Sequence, residues 1–166
     1  MNKRTSNNVH KAFIEEAKAH NRLLMFAAQA EKEDLSQIAL LFRAVAAAES
    51  VHARRHFALL EGSIKDTQSN LERAFQSETG VARVGYAKML KEAEEDREEA
   101  AALVFSQARD VDETHAKLYK KALDHLIALR STHYYICTIC GFVSDGNIPS
   151  NCPICGASST EFQNVE

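Results

Sequence analysis

From residue 6 to about residue 130 the apolar positions recur every three to four residues, the period of helices that bury one stripe. Interruptions in that pattern predict four helices. The first runs from about Asn8 to Lys32, and the acidic stretch EKED makes the turn after it. The second runs from about Leu35 to Glu61. GSIKDTQS then breaks the pattern, with Gly62 suited to a helix stop because glycine takes the left-handed conformation without strain. The third helix starts near Asn70 and reaches about Glu95; the fourth runs from about Arg97 to Leu129. After Ser131 the helical period disappears. The segment HYYICTICGFVSDGNIPSNCPICGASSTEF is rich in β-formers, Gly, Pro and Ser and predicts a second, small module. The expected division is a helical domain over 1–130 and a small domain over 131–166.

Composition agrees with this mainly helical reading. The 166 residues suffice for one good core plus a small module, and only 6 Gly and 2 Pro interrupt them. A net charge of −3 without a basic block gives a nucleic acid no electrostatic footing. No apolar run approaches the roughly 18 residues needed to span a bilayer, so no membrane role is expected. The start, MNKRTSNNVHKAF, lacks the apolar stretch of a secretory leader, which predicts a cytoplasmic protein.

The helical part repeats itself. Glu16 is followed 33 residues later by Glu49, and three further on by His52. Glu78 is followed 34 residues later by Asp112, and three further on by His115. LLFRAVAAAESVHA matches LVFSQARDVDETHA, with Phe42 and Phe105 each seven residues before the acid. Two helix hairpins of one design imply a bundle with pseudo-twofold symmetry.

The six repeated positions carry the chemistry. An acid and a His three apart share a helix face, and the neighbours on those faces are apolar or small: Phe13 beside Glu16, Val45 beside Glu49, Phe75 and Val81 beside Glu78, Ala108 and Ala116 beside Asp112. A carboxylate buried without a partner costs several kcal/mol. A lone E-x-x-H on a helix is ordinarily solvated; a duplicated one with an acid upstream of each copy calls for cations between the acids. Glu16, Glu49, His52, Glu78, Asp112 and His115 match the ligand arithmetic of carboxylate-bridged di-iron bundles, one acid from each of two helices and an acid-x-x-His pair from each of the others. Oxygen-rich ligands with two imidazoles suit iron or manganese better than structural zinc. His10, His20, His125 and His133 read as surface residues, and His56 as a surface or packing residue.

All four cysteines lie in the last 30 residues, as two C-x-x-C pairs, which in a reducing compartment mark a metal site. Cys137 and Cys140 form one knuckle and Cys152 and Cys155 the other. CTICGF and CPICGA each place a Gly after the second Cys, so the backbone turns tightly and amides point at sulfur. Four thiolates bind one tetrahedral ion; zinc and iron both fit, and the redox-type bundle beside them favours iron. Tyr134, Tyr135, Phe142 and Phe162 supply a small aromatic core.

Over nearly its whole length the chain resembles the rubrerythrins. EEAKAHNRLLMFAAQAEKEDLSQIALLFRAVAAAESVHARRHF is similar to that family's first hairpin, and YICTICGFVSDGNIPSNCPICGASSTEF resembles a rubredoxin. The resemblance implies a ferritin-like four-helix bundle followed by a rubredoxin-like β module. It implies a non-haem di-iron peroxidase of oxidative-stress defence that reduces hydrogen peroxide to water. Electrons would come from NAD(P)H through a separate reductase, enter the Fe(Cys)4 centre and pass to the iron pair. Glu49 and Asp112 would bridge, Glu16 and Glu78 would be terminal ligands, and His52 and His115 would each hold one iron. Tyr86 matches the family's third-helix Tyr, a hydrogen-bond donor near the metals.

Three departures bear on the chemistry. Val81 stands where the family carries a further ligand Glu that exchanges with the second-helix His; its absence points to a His52 that stays bound. Asp112 replaces the usual Glu and is one methylene shorter. Leu23 replaces a Tyr of the first helix. An alternative reading is therefore a ferroxidase or oxygen-reducing oxidase, and a third is a non-enzymatic electron-transfer or iron-binding protein. The short GSIKDTQS connection predicts a homodimer with exchanged hairpins, since about eight residues reach at most about 29 Å while a 26-residue helix is roughly 39 Å long.

Overall fold

The structure, a computed structural model, describes residues 1–60, 62–125 and 132–165. It is made of helical hairpins and a three-stranded sheet, and it divides into two compact units, Met1–Lys65 and Asp66–Glu166. The expected ends of the second helix at Glu61 and of the fourth at Leu129, and the domain boundary at 130/131, fall outside the described residues.

The first unit is one hairpin, α1 (Lys3–Lys32) and α2 (Ser36–Leu59). Asn2 caps α1 by accepting from the Thr5 amide at 2.9 Å. The seam is built from small residues: Ala27 and Ala30 of α1 and Ala39, Ala46 and Ala53 of α2 are all buried. Small side chains let the two backbones approach closely. Leu24, Met25, Phe26, Leu40, Leu41 and Val45 stay exposed, because a two-helix hairpin can bury its seam but not the rest of its apolar stripe.

The second unit opens with α3 (Thr67–Gly80), capped by Asp66, whose carboxylate accepts from the Ser69 amide at 2.9 Å. A π-helical segment, Val81–Tyr86, leads into α4 (Ala87–Glu95), and α5 (Glu99–His125) runs back along them. The two hairpins turn alike. Asp34 and Arg97 both adopt left-handed φ, 58° and 60°. Leu35 donates to the Ala30 carbonyl and Glu98 to the Ala93 carbonyl, each at 2.9 Å, which closes the last turn of α1 and of α4 in the same way.

The π segment explains an irregularity of the repeat. Glu16 and Glu78 stand 62 apart, whereas Asp34 and Arg97, Glu49 and Asp112, and His52 and His115 all stand 63 apart. The second hairpin therefore holds one extra residue between Glu78 and its turn. A single-turn π segment absorbs one residue while the helix before and after it keeps its phase. The acids of the second hairpin thus keep the register of the first.

The C-terminal module is a sheet of order β2-β1-β3, with β1 (Tyr134–Cys137) antiparallel to β2 (Val143–Asp145) and to β3 (Phe162–Val165). Tyr135 pairs with Ser144 on one side and Asn164 on the other. Phe142 and Phe162 meet edge to face at 6.4 Å, and Cys137, 1% exposed, is its most buried side chain. Among the described residues no helix is long and apolar enough to cross a membrane.

The register argument gives a paired test. Deleting Val84, 74% exposed in the π segment, should convert it to plain α-helix and leave bound iron unchanged by metal analysis. Deleting Arg22 from α1, which has no π segment, should swing Glu16 by about 100° relative to α2 and lose iron.

Candidate metal centres

Glu16 projects from α1 and Glu49 and His52 from α2, and one ligand atom from each lies within 4.8 Å of the others. His52 Nδ1 donates to Glu49 Oε2 at 3.1 Å. Glu16 is held above the ordinary carboxylate range, chiefly by its hydrogen bond to Glu49 and then by burial. Glu49 is held below it, by the same bond to Glu16 and by the bond from His52. The two acids thus compete for one proton. The neighbouring His52 and then His56 act on Glu16 in the opposite direction without outweighing those causes.

The second hairpin repeats this arrangement with Glu78, Asp112 and His115, again within 4.8 Å of one another. His115 Nδ1 faces Asp112 Oδ1 at 3.9 Å and Glu78 Oε1 at 4.0 Å. Burial, and then the Asp112 charge, push Glu78 above its usual range. Tyr86 is raised by burial and by the charges of Asp112 and Glu78, so its phenol lies in the field of this cluster. Its ring stands 6.3 Å from that of Phe105.

These acids are less enclosed than their apolar neighbours in sequence suggest. The side chains of Glu49, Glu78, Asp112 and His115 are 19–26% exposed and that of His52 is 50% exposed. Each triplet sits on a hairpin face, and two helices cannot enclose a side chain on their open side. Paired acids with raised or split proton affinities, and an imidazole nitrogen turned toward them, still form a set that a divalent cation satisfies.

The four cysteines make a separate centre. The sulfurs of Cys137 and Cys155 are 3.8 Å apart and those of Cys140 and Cys152 are 3.5 Å apart. Metal–sulfur bonds of about 2.3 Å at a tetrahedral ion require sulfur separations of about 3.8 Å, so the cage has the size of one ion. Gly141 and Gly156 take φ of 85° and 75° directly after the second Cys of each knuckle. That turn aims the Phe142 amide at Cys140 and the Ala157 amide at Cys155. Burial pushes the Cys140 thiol far up. At Cys152 burial also acts upward, but amides of Cys155 and Ile154 and bonds from the other thiols outweigh it and lower it.

Comparison with known proteins accords with this pair of centres. Residues 7–123 match the family model described as rubrerythrin, and residues 135–163 match that of the rubrerythrin rubredoxin-like domain. The chain belongs to the rubrerythrin family. It is 31% identical to rubrerythrin-2 of Clostridium acetobutylicum, over 98% of this chain and 97% of that protein. It is 30% identical to nigerythrin of Nitratidesulfovibrio vulgaris, over 91% of this chain and 81% of that one. A solved structure of nigerythrin in a mixed-valence state superposes with a TM-score of 0.58 at 28% identity, covering 97% of this chain and 86% of that one. The cofactors are those of the family, a carboxylate- and His-bound di-iron pair and one iron in a rubredoxin-like four-cysteine site.

Two features escaped the sequence reading. His20, expected at the surface, is half-buried, and its Nδ1 donates to the Ala46 carbonyl across the hairpin at 2.8 Å. The two residues are 26 apart, and no local spacing announces the bond. His115 Nε2 donates to the Gly141 carbonyl at 3.1 Å, so the knuckle and the second acid cluster touch. Lys121 and Asp145 form an ion pair further along α5. His10 and His133 are exposed as expected, and the side chain of His125 lies outside the described residues.

The raised acids set a pH dependence. Glu16 and Glu78 hold their protons above the ordinary glutamate value of 4.5, and a cation must displace those protons to bind. Iron affinity of the bundle should therefore rise with pH through the range just above 4.5, with net proton release on loading. A pH series of metal titrations with proton counting checks both.

Proposed function

We propose that this chain is a non-haem di-iron peroxidase, reducing hydrogen peroxide to water with electrons delivered through its four-cysteine centre. The observation that carries this reading is the bond from His115 to the carbonyl of Gly141, the residue directly after Cys140. It joins a redox-type thiolate centre to an acid-rich cluster by one hydrogen bond. Glu16, Glu49 and His52 form one half of the di-iron site and Glu78, Asp112 and His115 the other, with Cys137, Cys140, Cys152 and Cys155 holding the third iron. Ferrous iron held there would supply the two electrons for peroxide reduction, together with Lewis acidity.

The chain's own residues do the rest. Glu49 and Asp112 would be the acids shared by the metals, and Asp112 is one methylene shorter than Glu49. Glu16 and Glu78, with their raised proton affinities, take up and return protons as charge at the site changes. Tyr86, whose proton is held by burial and by the neighbouring acids, would be a hydrogen-bond donor beside the site. A separate NAD(P)H-dependent reductase feeds the cysteine centre. The protein works in the cytoplasm, in oxidative-stress defence, as a ferritin-like domain over 1–130 and a rubredoxin-like domain over 131–166.

Each hairpin supplies three ligands, half of what two irons need. The link from Leu59 to Thr67 is too short to run back along a helix of α2's length. The working form is therefore a homodimer with exchanged hairpins, in which the first half-site of one protomer completes the second half-site of its partner.

A second reading rests on Val81, 43% exposed, in place of the exchanging Glu. A histidine that stays bound suits a ferroxidase or oxygen-reducing oxidase, and oxygen then outcompetes peroxide as oxidant. A chain that merely stores iron or carries electrons would show no steady NAD(P)H consumption with peroxide and a reductase.

Reduced, iron-loaded protein mixed anaerobically with peroxide should oxidise within seconds; persistence of the ferrous state rejects the peroxidase. For the dimer, Glu49→Ala and Asp112→Ala chains refolded together should regain one intact di-iron site per heterodimer. Hairpins that stay within one chain would leave every site defective.

A further inference from the structure

We infer that the cysteine module is a built-in positioning element for its own chain's second half-site: the Gly141 carbonyl holds His115 in the tautomer that commits Nδ1 to the metal. This rests on the ligand assignment proposed above and not on the oxidant. A neutral imidazole carries one N–H and one lone pair. Nε2 of His115 donates to Gly141 at 3.1 Å, which leaves the lone pair on Nδ1, the nitrogen facing Asp112 and Glu78. A backbone carbonyl on the far nitrogen of a ligand histidine fixes both ring orientation and basicity.

The carbonyl is itself held firmly. Gly141 donates its amide to the Cys137 carbonyl at 2.9 Å and takes φ of 85°. A Cβ on it would lie 3.9 Å from Cγ1 of Val111, a buried residue one turn before His115. The Lys121–Asp145 pair fastens the same module further along α5, and Thr132 donates to Asp145 at 2.7 Å. Closure of the cysteine cage by a metal therefore fixes the acceptor of His115.

The first hairpin has no such device. His52 is half-exposed and its Nδ1 is engaged by Glu49 at 3.1 Å. Among the described residues, no backbone carbonyl orients its ring. The helical repeat is double but the module is single, so the two half-sites are unequal. The His115 half is preorganised and fills first, and metal in the cysteine cage and metal at His115 favour one another, as reciprocal coupling requires.

The test uses the full chain with zinc, which is redox-silent, and histidine labelled with 15N. With the cysteine cage filled, His115 should show a protonated Nε2, and its signals should respond to added zinc before those of His52. Lys121→Ala loosens the module without touching a ligand; the zinc concentration needed at His115 should rise about tenfold, with His52 unmoved. Cys140→Ala, which opens the cage, should shift His115 alone in the same direction. A His115 that exchanges tautomers in the zinc-filled chain, or that titrates together with His52, overturns the proposal. So does an unchanged His115 response in both variants. Loss of peroxide turnover with these signatures intact would instead reject the peroxidase reading alone.

Discussion

Mutual repulsion of paired carboxylates is the constraint on which the site depends. Glu16 lies against Glu49, and their shared hydrogen bond raises the one and lowers the other; Glu78 is raised by burial and then by the charge of Asp112. Such pairs relax in two ways, by holding a proton or by taking a cation between them. The imidazoles of His52 and His115 complete each set. The helices supply this arrangement by periodicity alone, since an acid and a histidine three apart share a face and the hairpin brings the second acid alongside.

Preserving that register through a gene-scale repeat required a local irregularity. The second hairpin is one residue longer than the first, and the π segment at Val81–Tyr86 takes up the excess. The same segment holds Val81, on the face of Glu78, and Tyr86, whose phenol lies in the field of the second acid cluster. An insertion that keeps the ligands in phase has therefore also given the two halves different neighbours.

The cysteine module adds a second asymmetry. Its knuckles are near copies of one another, each with a left-handed Gly, a 2.9 Å amide bond back to the first Cys and an amide aimed at sulfur. The first knuckle reaches α5, through Gly141 against Val111 and His115. One face of α5 thus carries both a candidate iron ligand and a contact with the first cysteine knuckle.

The sequence by itself determined the helices, the two C-x-x-C knuckles and which residues form each acid cluster, because helical phase and knuckle geometry are local and survive in residue spacing. It also carried the one-residue difference between the repeats, though not the π segment that absorbs it, since where a helix widens depends on packing against α5. Burial was overstated: an apolar neighbour in sequence shows a shared face, and only the partner on that face decides exposure, as half-exposed His52 shows. The bonds from His20 to Ala46 and from His115 to Gly141 were decided by tertiary structure alone. Each joins residues 26 apart through a backbone carbonyl, a group every residue possesses and no sequence pattern can mark.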